Sequence, residues 1–477
     1  MNLRVEALNG IKWTSFSSIY VAIINLVQIA ILTRYLMPSD FGLIAIVTVV
    51  IGFSALFMDM GISSAIIHRQ DISHDQLSSL YWFNVFVGIL LCLIVYFSSS
   101  IISQFYDEIE LIPLIQLLSP TFLISALGNQ FRILSQKKLL FHRLAIVDIL
   151  SASISFAVAV NCAMNGFGVY SIVFAMLTNV SVSNLIFLVI GLKDQRPKFI
   201  YKHAEIVSFL KFGMFQIGEK SINYFNSQFD ILLIGKLLGT EALGIYNVAK
   251  TLVIKPAQII NPIVTRVLFP VLSKVQNNIK QLKNIYLKII NYLCSVNFPI
   301  YIAIVILAEP LVSFLFGDLW LESIAIVQIL SLYFMIRSIV NPIGSLQLAK
   351  GRADLGFYWN LGILLITPLA IYLGSFYDLI GISMALFVQM VIINFLNWYF
   401  MVEPLCEAQF GEYFTQIRNP LIIALVSSVL GLVISFVADD VILNTLLFIA
   451  TTVLFYIFLN IKAKTPLYLM SKEILNT

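Results

Sequence analysis

Charge is what this sequence has least of. Charged residues make up 11% of the 477 residues and apolar residues 60%, whereas a soluble globular chain carries about 25% charged residues. So few charges cannot coat a chain of this length with a water-compatible surface, and lipid must be its main solvent. Cysteine is scarce as well. Cys92, Cys162, Cys294 and Cys406 are scattered without metal or redox spacing and read as small apolar fillers. His68, His74, His142 and His203 fall at or beside expected loops, not in a ligand cluster, so no metal is expected. A Gly-rich nucleotide loop, a Walker motif, paired acids in a loop and a Ser/His/Asp grouping are all missing. These gaps argue against an enzyme, a bound cofactor and a nucleic-acid partner. Any work on a substrate would draw on a gradient or on downstream consumption.

What is present is long hydrophobic runs. A helix needs about 20 apolar residues to cross a bilayer, and helices are the default because lipid satisfies no backbone polar group. The runs predict an all-α polytopic protein with fourteen spans, at 10–33, 41–67, 77–103, 111–134, 142–164, 168–192, 209–235, 242–268, 285–308, 323–348, 355–375, 379–402, 419–438 and 441–461. The loops left over are too short for a soluble domain. The first run is too long for a signal-peptide core and lacks a small-residue cleavage site, so it is expected to be the first span.

The few charges are placed unevenly. With fourteen spans both termini share one side, and that side, with its span ends, carries 23 of the 29 basic residues. The opposite loops hold two, Arg34 and Lys236, and are rich in acids such as Asp107, Glu108 and Glu110. The excess of basic residues marks the cytoplasmic side, so both termini are expected in the cytoplasm.

An internal repeat appears when the chain is shifted by 202 residues. Arg34 then falls on Lys236, Leu36 on Leu238 and Gly42 on Gly244, with Asp59 on Asn261. This predicts two six-helix lobes, 1–200 and 201–405, with 406–477 adding spans thirteen and fourteen. Both repeats start on the same side, the parallel plan known from transporters.

Eight charges remain inside the spans: Asp59, Asp148, Glu219, Lys220, Asp230, Lys250, Lys255 and Arg337. Charges at such depth face a bundle interior or an aqueous cavity. In the seventh span Gln216, Glu219, Asn223, Asn226 and Asp230 recur at steps of three and four and share one helix face. The eighth span has a similar stripe of Asn247, Thr251, Lys255, Gln258, Asn261 and Thr265. The fourth span carries Asn129, Arg132 and Gln136. The stripes read as a wet interior, with interhelical hydrogen bonding and an Asp230–Lys250 ion pair as the competing readings. Asn261-Pro262 and Asn341-Pro342, together with Pro256, are candidate hinges, since proline removes a backbone donor and kinks a helix.

Several of these stretches resemble one family. The run from Arg34 to Gly42 resembles the first-hairpin signature of the polysaccharide-transport branch of the MOP (multidrug/oligosaccharidyl-lipid/polysaccharide) exporter superfamily. So do Met60-Gly61-Ile62, Gln130-Phe131-Arg132, Gln136-Lys137, the stretch from Asn261 to Pro270, Phe316-Gly317 with Trp320, and the stretch from Asn341 to Ser345. They look most like Wzx-type flippases of the colanic acid and teichuronic acid kind. The resemblance implies two six-helix bundles in a V, similar to MATE transporters. It also implies an undecaprenyl-pyrophosphate-linked oligosaccharide as cargo, moved across the bacterial inner membrane by alternating access. Proton or sodium gradient coupling is a further expectation, as are the polysaccharide polymerase and export machinery as partners.

Cations suit a pyrophosphate, which assigns Arg132, Lys250, Lys255 and Arg337 to it. Amides suit sugar hydroxyls, which assigns Asn223, Asn226 and Gln258 to sugar. Glu219, Asp230 and Asp59 are left for the coupling ion or for sugar. A MATE-like cation-coupled drug antiporter is one rival, disfavoured by the cations. A membrane-embedded glycan polymerase or ligase is another, disfavoured by the absence of a large outer loop.

Overall fold

Backbone hydrogen bonding in lipid leaves this chain little choice but helix. A computed structural model, which describes residues 3–59, 62–68, 71–437 and 440–468, contains helices and no strand among those residues. Two compact units emerge, Met1–Gly244 and Ile245–Thr477.

The first unit contains α1 (Leu3–Leu32), α2 (Pro38–Asp59), α3 (Ile62–His68), α4 (His74–Tyr106), α5 (Leu111–Leu118), α6 (Thr121–Lys137), α7 (Phe141–Met164), α8 (Tyr170–Asp194) and the start of α9 (His203–Lys274). The second contains the rest of α9, then α10 (Ile279–Ile306), α11 (Ala308–Leu315), α12 (Ser323–Val340), α13 (Ile343–Ala349), α14 (Ala353–Ser375), α15 (Asp378–Asn397), α16 (Glu403–Cys406), α17 (Phe410–Ser435) and α18 (Val441–Lys462).

Local chemistry sets several of these boundaries. Ser73 Oγ accepts the Gln76 N–H at 3.1 Å and Gln76 Oε1 accepts the Ser73 N–H at 3.0 Å, a reciprocal cap that starts α4. Asp440 caps α18 by accepting the Leu443 N–H at 2.9 Å.

Among the described residues thirteen stretches are long and apolar enough to cross a membrane. One of them, Lys220–Pro262, is 43 residues long, about twice what one crossing needs. It is broken at Gly239, whose φ of 84° and ψ of −179° are not helical. Counting that stretch as two crossings recovers the fourteen expected. The second expected span is shorter than its hydrophobic run. Helix α2 stops at Asp59, and α3 is a separate short helix.

The same packing order recurs in both units. In the first, α4 packs on α6, α6 on α8 and α8 on α7. In the second, α10 packs on α12, α12 on α15 and α15 on α14. These are spans three to six and nine to twelve, and each order was built by a different stretch of sequence. The second unit adds α17 against α10 and α18 against α17.

The glycines that register the repeat meet at its hairpins. A Cβ on Gly42 would lie 1.8 Å from the Thr240 carbonyl oxygen, and one on Gly244 would lie 1.7 Å from the Pro38 carbonyl oxygen. Thr240 is the repeat equivalent of Pro38, so the two contacts are reciprocal. Only glycine permits backbones to approach this closely. Around the crossing, Lys236 pairs with Asp107 at 2.8 Å and Thr240 Oγ1 donates to Glu108 Oε1 at 2.8 Å. The Tyr106 hydroxyl donates to the Leu232 carbonyl at 3.3 Å.

Candidate functional site

Helix α9 carries most of the candidate residues, and its neighbours decide which faces stay open. In the first unit α9 docks on α2 through aromatics. The Tyr224 hydroxyl donates to the Val49 carbonyl at 2.9 Å, and the Phe225 ring lies 4.9 Å from that of Phe53. At about 100° per residue, Asn223, Asn226 and Asp230 fall on the face turned away from these contacts. Their burial agrees, with Asn223 exposed and Asn226 and Asp230 half-buried. One Asp230 carboxylate oxygen accepts the Ile231 N–H at 2.9 Å. The side chains of Gln216, Glu219 and Asp59 lie outside the described residues; Asp59 itself is the last residue of α2.

Arg132 stands apart from that stripe. It donates two hydrogen bonds to Asp148, at 2.9 and 3.2 Å, and a longer one to Ser183 at 3.4 Å. Its guanidinium also lies 5.6 Å from the centre of the Phe187 ring. Three helices, α6, α7 and α8, are thereby tied at one cation. An anion could reach Arg132 only in competition with Asp148, because a bidentate carboxylate already fills the guanidinium fork. The sequence marks Asp148 as a span charge and Arg132 as part of the fourth-span polar stripe but not their pairing, since no helical spacing connects residues in different helices.

In the second unit the cations are held differently. Lys250 is buried and Lys255 half-buried; among the described residues Lys255 has no hydrogen-bond or ion-pair partner. Gln258, nearly one turn further, is exposed, and Asn261 is buried. Arg337 donates to the Tyr333 hydroxyl at 3.3 Å and lies 5.8 and 5.6 Å from the Tyr333 and Phe334 ring centres. Aromatic faces stabilise a cation without neutralising it. Tyr333 was not among the expected site residues, although its place four residues before Arg337 is a legible helix-face signal.

The two expected Asn-Pro hinges differ. At Asn341-Pro342 the helix is interrupted, with α12 ending at Val340 and α13 starting at Ile343. At Asn261-Pro262 helix α9 runs through, as it does at Pro256 and Pro270. Proline is tolerated in a membrane helix where neighbours satisfy the freed carbonyls.

A family profile described as "Polysaccharide biosynthesis protein" matches residues 31–325. This chain belongs to that family. It is 32% identical to the teichuronic acid biosynthesis protein TuaB of Bacillus subtilis (strain 168), over 97% of this chain and 96% of that one. It is 31% identical to the lipopolysaccharide biosynthesis protein WzxC of Escherichia coli (strain K12), over 91% and 89% of the two chains. Among solved structures, the lipid II flippase MurJ in an inward closed conformation superposes with a TM-score of 0.73 at 15% identity, covering 94% of this chain and 99% of that one. The fold is therefore shared with a flippase, and the family with polysaccharide biosynthesis proteins.

Proposed function

We propose that this protein is a flippase that moves an undecaprenyl-pyrophosphate-linked oligosaccharide from the cytoplasmic to the outer leaflet of the bacterial inner membrane by alternating access. The observation that carries the reading is the end-to-end match to polysaccharide biosynthesis proteins on a fold shared with a lipid II flippase. Physical chemistry supports it. Mid-span cations suit a pyrophosphate, and the polar stripe of α9 suits sugar hydroxyls. Lys255, Lys250 and Arg337 are the proposed pyrophosphate ligands. Arg132, already held by Asp148, takes a subordinate part. Asn223, Asn226 and Gln258 would meet sugar, and Glu219, Asp230 and Asp59 would meet sugar or the coupling ion. The basic-residue asymmetry supports cytoplasmic termini, and a proton or sodium gradient would supply the energy. The polymerase and export machinery would receive the product.

Deletion of the gene should leave lipid-linked repeat units in the inner leaflet and abolish the surface polymer. Normal polymer export in that strain, with no redundant flippase, overturns the proposal. Lys250→Ala combined with Lys255→Ala should abolish export while membrane insertion persists; full export by that variant overturns the pyrophosphate assignment.

A further inference from the structure

The chain leaves its sixth and twelfth spans through two comparable segments. In the first unit residues 195–202 join α8 to α9 and lie strapped across the start of α4. The Lys198 N–H donates to Ser78 Oγ at 3.0 Å, and the Lys202 N–H donates to Ser79 Oγ at 3.1 Å. Trp82 Nε1 donates to the Lys198 carbonyl at 2.8 Å. The Lys198 and Lys202 ammoniums reach the two carboxylate oxygens of Asp75, at 2.9 and 3.1 Å. Ser78 and Ser79 are buried, so the backbone of the strap is held by groups that are themselves fixed.

The repeat supplies a control. In the second unit residues 398–412 follow α15. There Lys283 of α10 pairs with Glu412 at 2.9 Å, and Trp398 Nε1 donates to the Ala408 carbonyl at 2.9 Å. An ion pair ties each segment to the matching helix, α4 or α10, with the charges exchanged. Tying therefore works with either polarity and does not require a basic strap. Yet 195–202 holds three cations, Arg196, Lys198 and Lys202, and no acid, whereas 398–412 holds three acids, Glu403, Glu407 and Glu412, and no cation. A general rule of charge placement would treat the loops after the sixth and twelfth spans alike, so the basic strap calls for a reason of its own.

Its rings point to one. Phe199 is 89% exposed and Tyr201 52%. The Phe199 ring meets Trp82 on one side, with centroids 4.5 Å apart, and Arg196, Lys198 and Lys202 are exposed around it. Arg196 folds back on α8, its Nε donating to the Leu192 carbonyl at 3.2 Å. Rings held open by a fixed backbone at the end of a span are stabilised in the bilayer interface, where aromatic side chains concentrate. The cations that alternate with them select the lipid, since each Lys or Arg near an anionic surface strengthens association about fivefold. Two lysines on one acid leave a net positive charge at Asp75.

We propose that residues 195–202 form a docking site for anionic phospholipid, with Phe199 and Tyr201 inserted in the interface and Arg196, Lys198 and Lys202 at the headgroup phosphate. Asp75 holds the two lysines side by side, and Ser78, Ser79 and Trp82 hold the backbone that presents the rings. The matching segment of the second unit has no such preference. The site is separate from the transport reading and stands or falls without it.

The purified full-length protein tests this in bilayers that mix phosphatidylcholine with phosphatidylglycerol. A photoreactive headgroup analogue of each lipid is activated in turn, and mass spectrometry of the peptides reads where it attaches. Phosphatidylglycerol should label 195–202 about tenfold more than phosphatidylcholine does, and the two lipids should label 398–412 alike. Equal labelling by the two lipids at 195–202, or the same preference at both segments, overturns the proposal. Labelling of 195–202 by neither lipid also overturns it and marks the face as covered by protein. Arg196→Gln leaves the bonds to α4 in place and should cut the preference about fivefold. Phe199→Ser should cut labelling by both lipids about threefold, because apolar surface in the interface is lost. An unchanged value in either variant overturns the proposal. The unaltered protein is read first, so a variant that misfolds leaves that result standing.

Discussion

The two units differ in the sign of the charge inside their spans. Counted by contact units, the first holds Asp59, Asp148, Glu219 and Asp230 against Lys220, with Arg132 near a span end. The second holds Lys250, Lys255 and Arg337, and its spans contain no carboxylate away from their ends. Counted from residue 201 the same charges crowd into the second half of the chain, which hides the contrast. The first unit pairs several of its cations with acids, as the second does at Lys283–Glu412 and Arg352–Asp354. Arg132 meets Asp148, Arg143 meets Asp194, Lys198 and Lys202 share Asp75, and Lys236 meets Asp107. Within the spans of the second, the Arg337 guanidinium lies over the Tyr333 and Phe334 rings, and Lys255 meets no acid among the described residues. Arg132 held by Asp148 ties helices together, whereas Lys255, with no acid beside it among the described residues, keeps its attraction for an anion that arrives later.

The largest expected effect tests what the repeats share. Gly244→Val places side-chain carbon where the Pro38 carbonyl stands, and Gly42→Val does the same at Thr240. Overpacking of this kind costs about 1–3 kcal/mol or more, so each variant should lose export and unfold at lower temperature, by similar amounts. A large effect at one glycine and none at the other breaks the reciprocity. Next, Lys255→Met should leave thermal unfolding unchanged while export falls roughly thirtyfold, since losing a charged ligand contact costs about 2 kcal/mol. The reverse pattern is expected of Asp148→Asn. Stranding Arg132 without its acid should cost about 1–2 kcal/mol of stability, below the figure for a fully buried pair because both partners are about one-third exposed. If Asp148→Asn is silent in unfolding and Lys255→Met is destabilising, the contrast between the units fails.

How much of this was legible in sequence depended on the kind of interaction. Hydropathy and basic-residue asymmetry are summed over many residues, so most spans were readable to within a few residues, while the second ends eight residues early at Asp59 and the thirteenth starts nine residues early at Phe410. The hairpin glycines were readable because the chain states them twice, at 42 and 244. The Arg132–Asp148 tie was half-readable: Asp148 stands out as a charge inside a span, but its partner depends on how α6 and α7 pack. Pro342 and Pro262 sit in the same Asn-Pro-Ile context, yet one interrupts a helix and the other does not.

The smallest expected effect concerns a matched pair of interhelical hydrogen bonds. In the first unit Ser155 of α7 donates to the Ala175 carbonyl of α8 at 2.8 Å. In the second, at the corresponding helix pair, Gln389 of α15 donates to Thr367 Oγ1 of α14 at 2.8 Å. All three side chains are buried. Such bonds in membrane proteins contribute on average about 0.6 kcal/mol, but their loss should not be equal. Ser155→Ala removes a donor from a carbonyl that sits in a helix and keeps its own i+4 partner, so it should cost only a few tenths of a kcal/mol. Gln389→Leu leaves a threonine hydroxyl that can turn back to its own helix, and should cost slightly more. Thr367→Val strands a buried amide with nowhere to turn, which makes it the worst of the three at about 1 kcal/mol. Thermal unfolding in one detergent ranks the series. If Ser155→Ala is the most damaging instead, the α7–α8 contact is held by that bond and not by packing, and the likeness between the two helix pairs ends at their order.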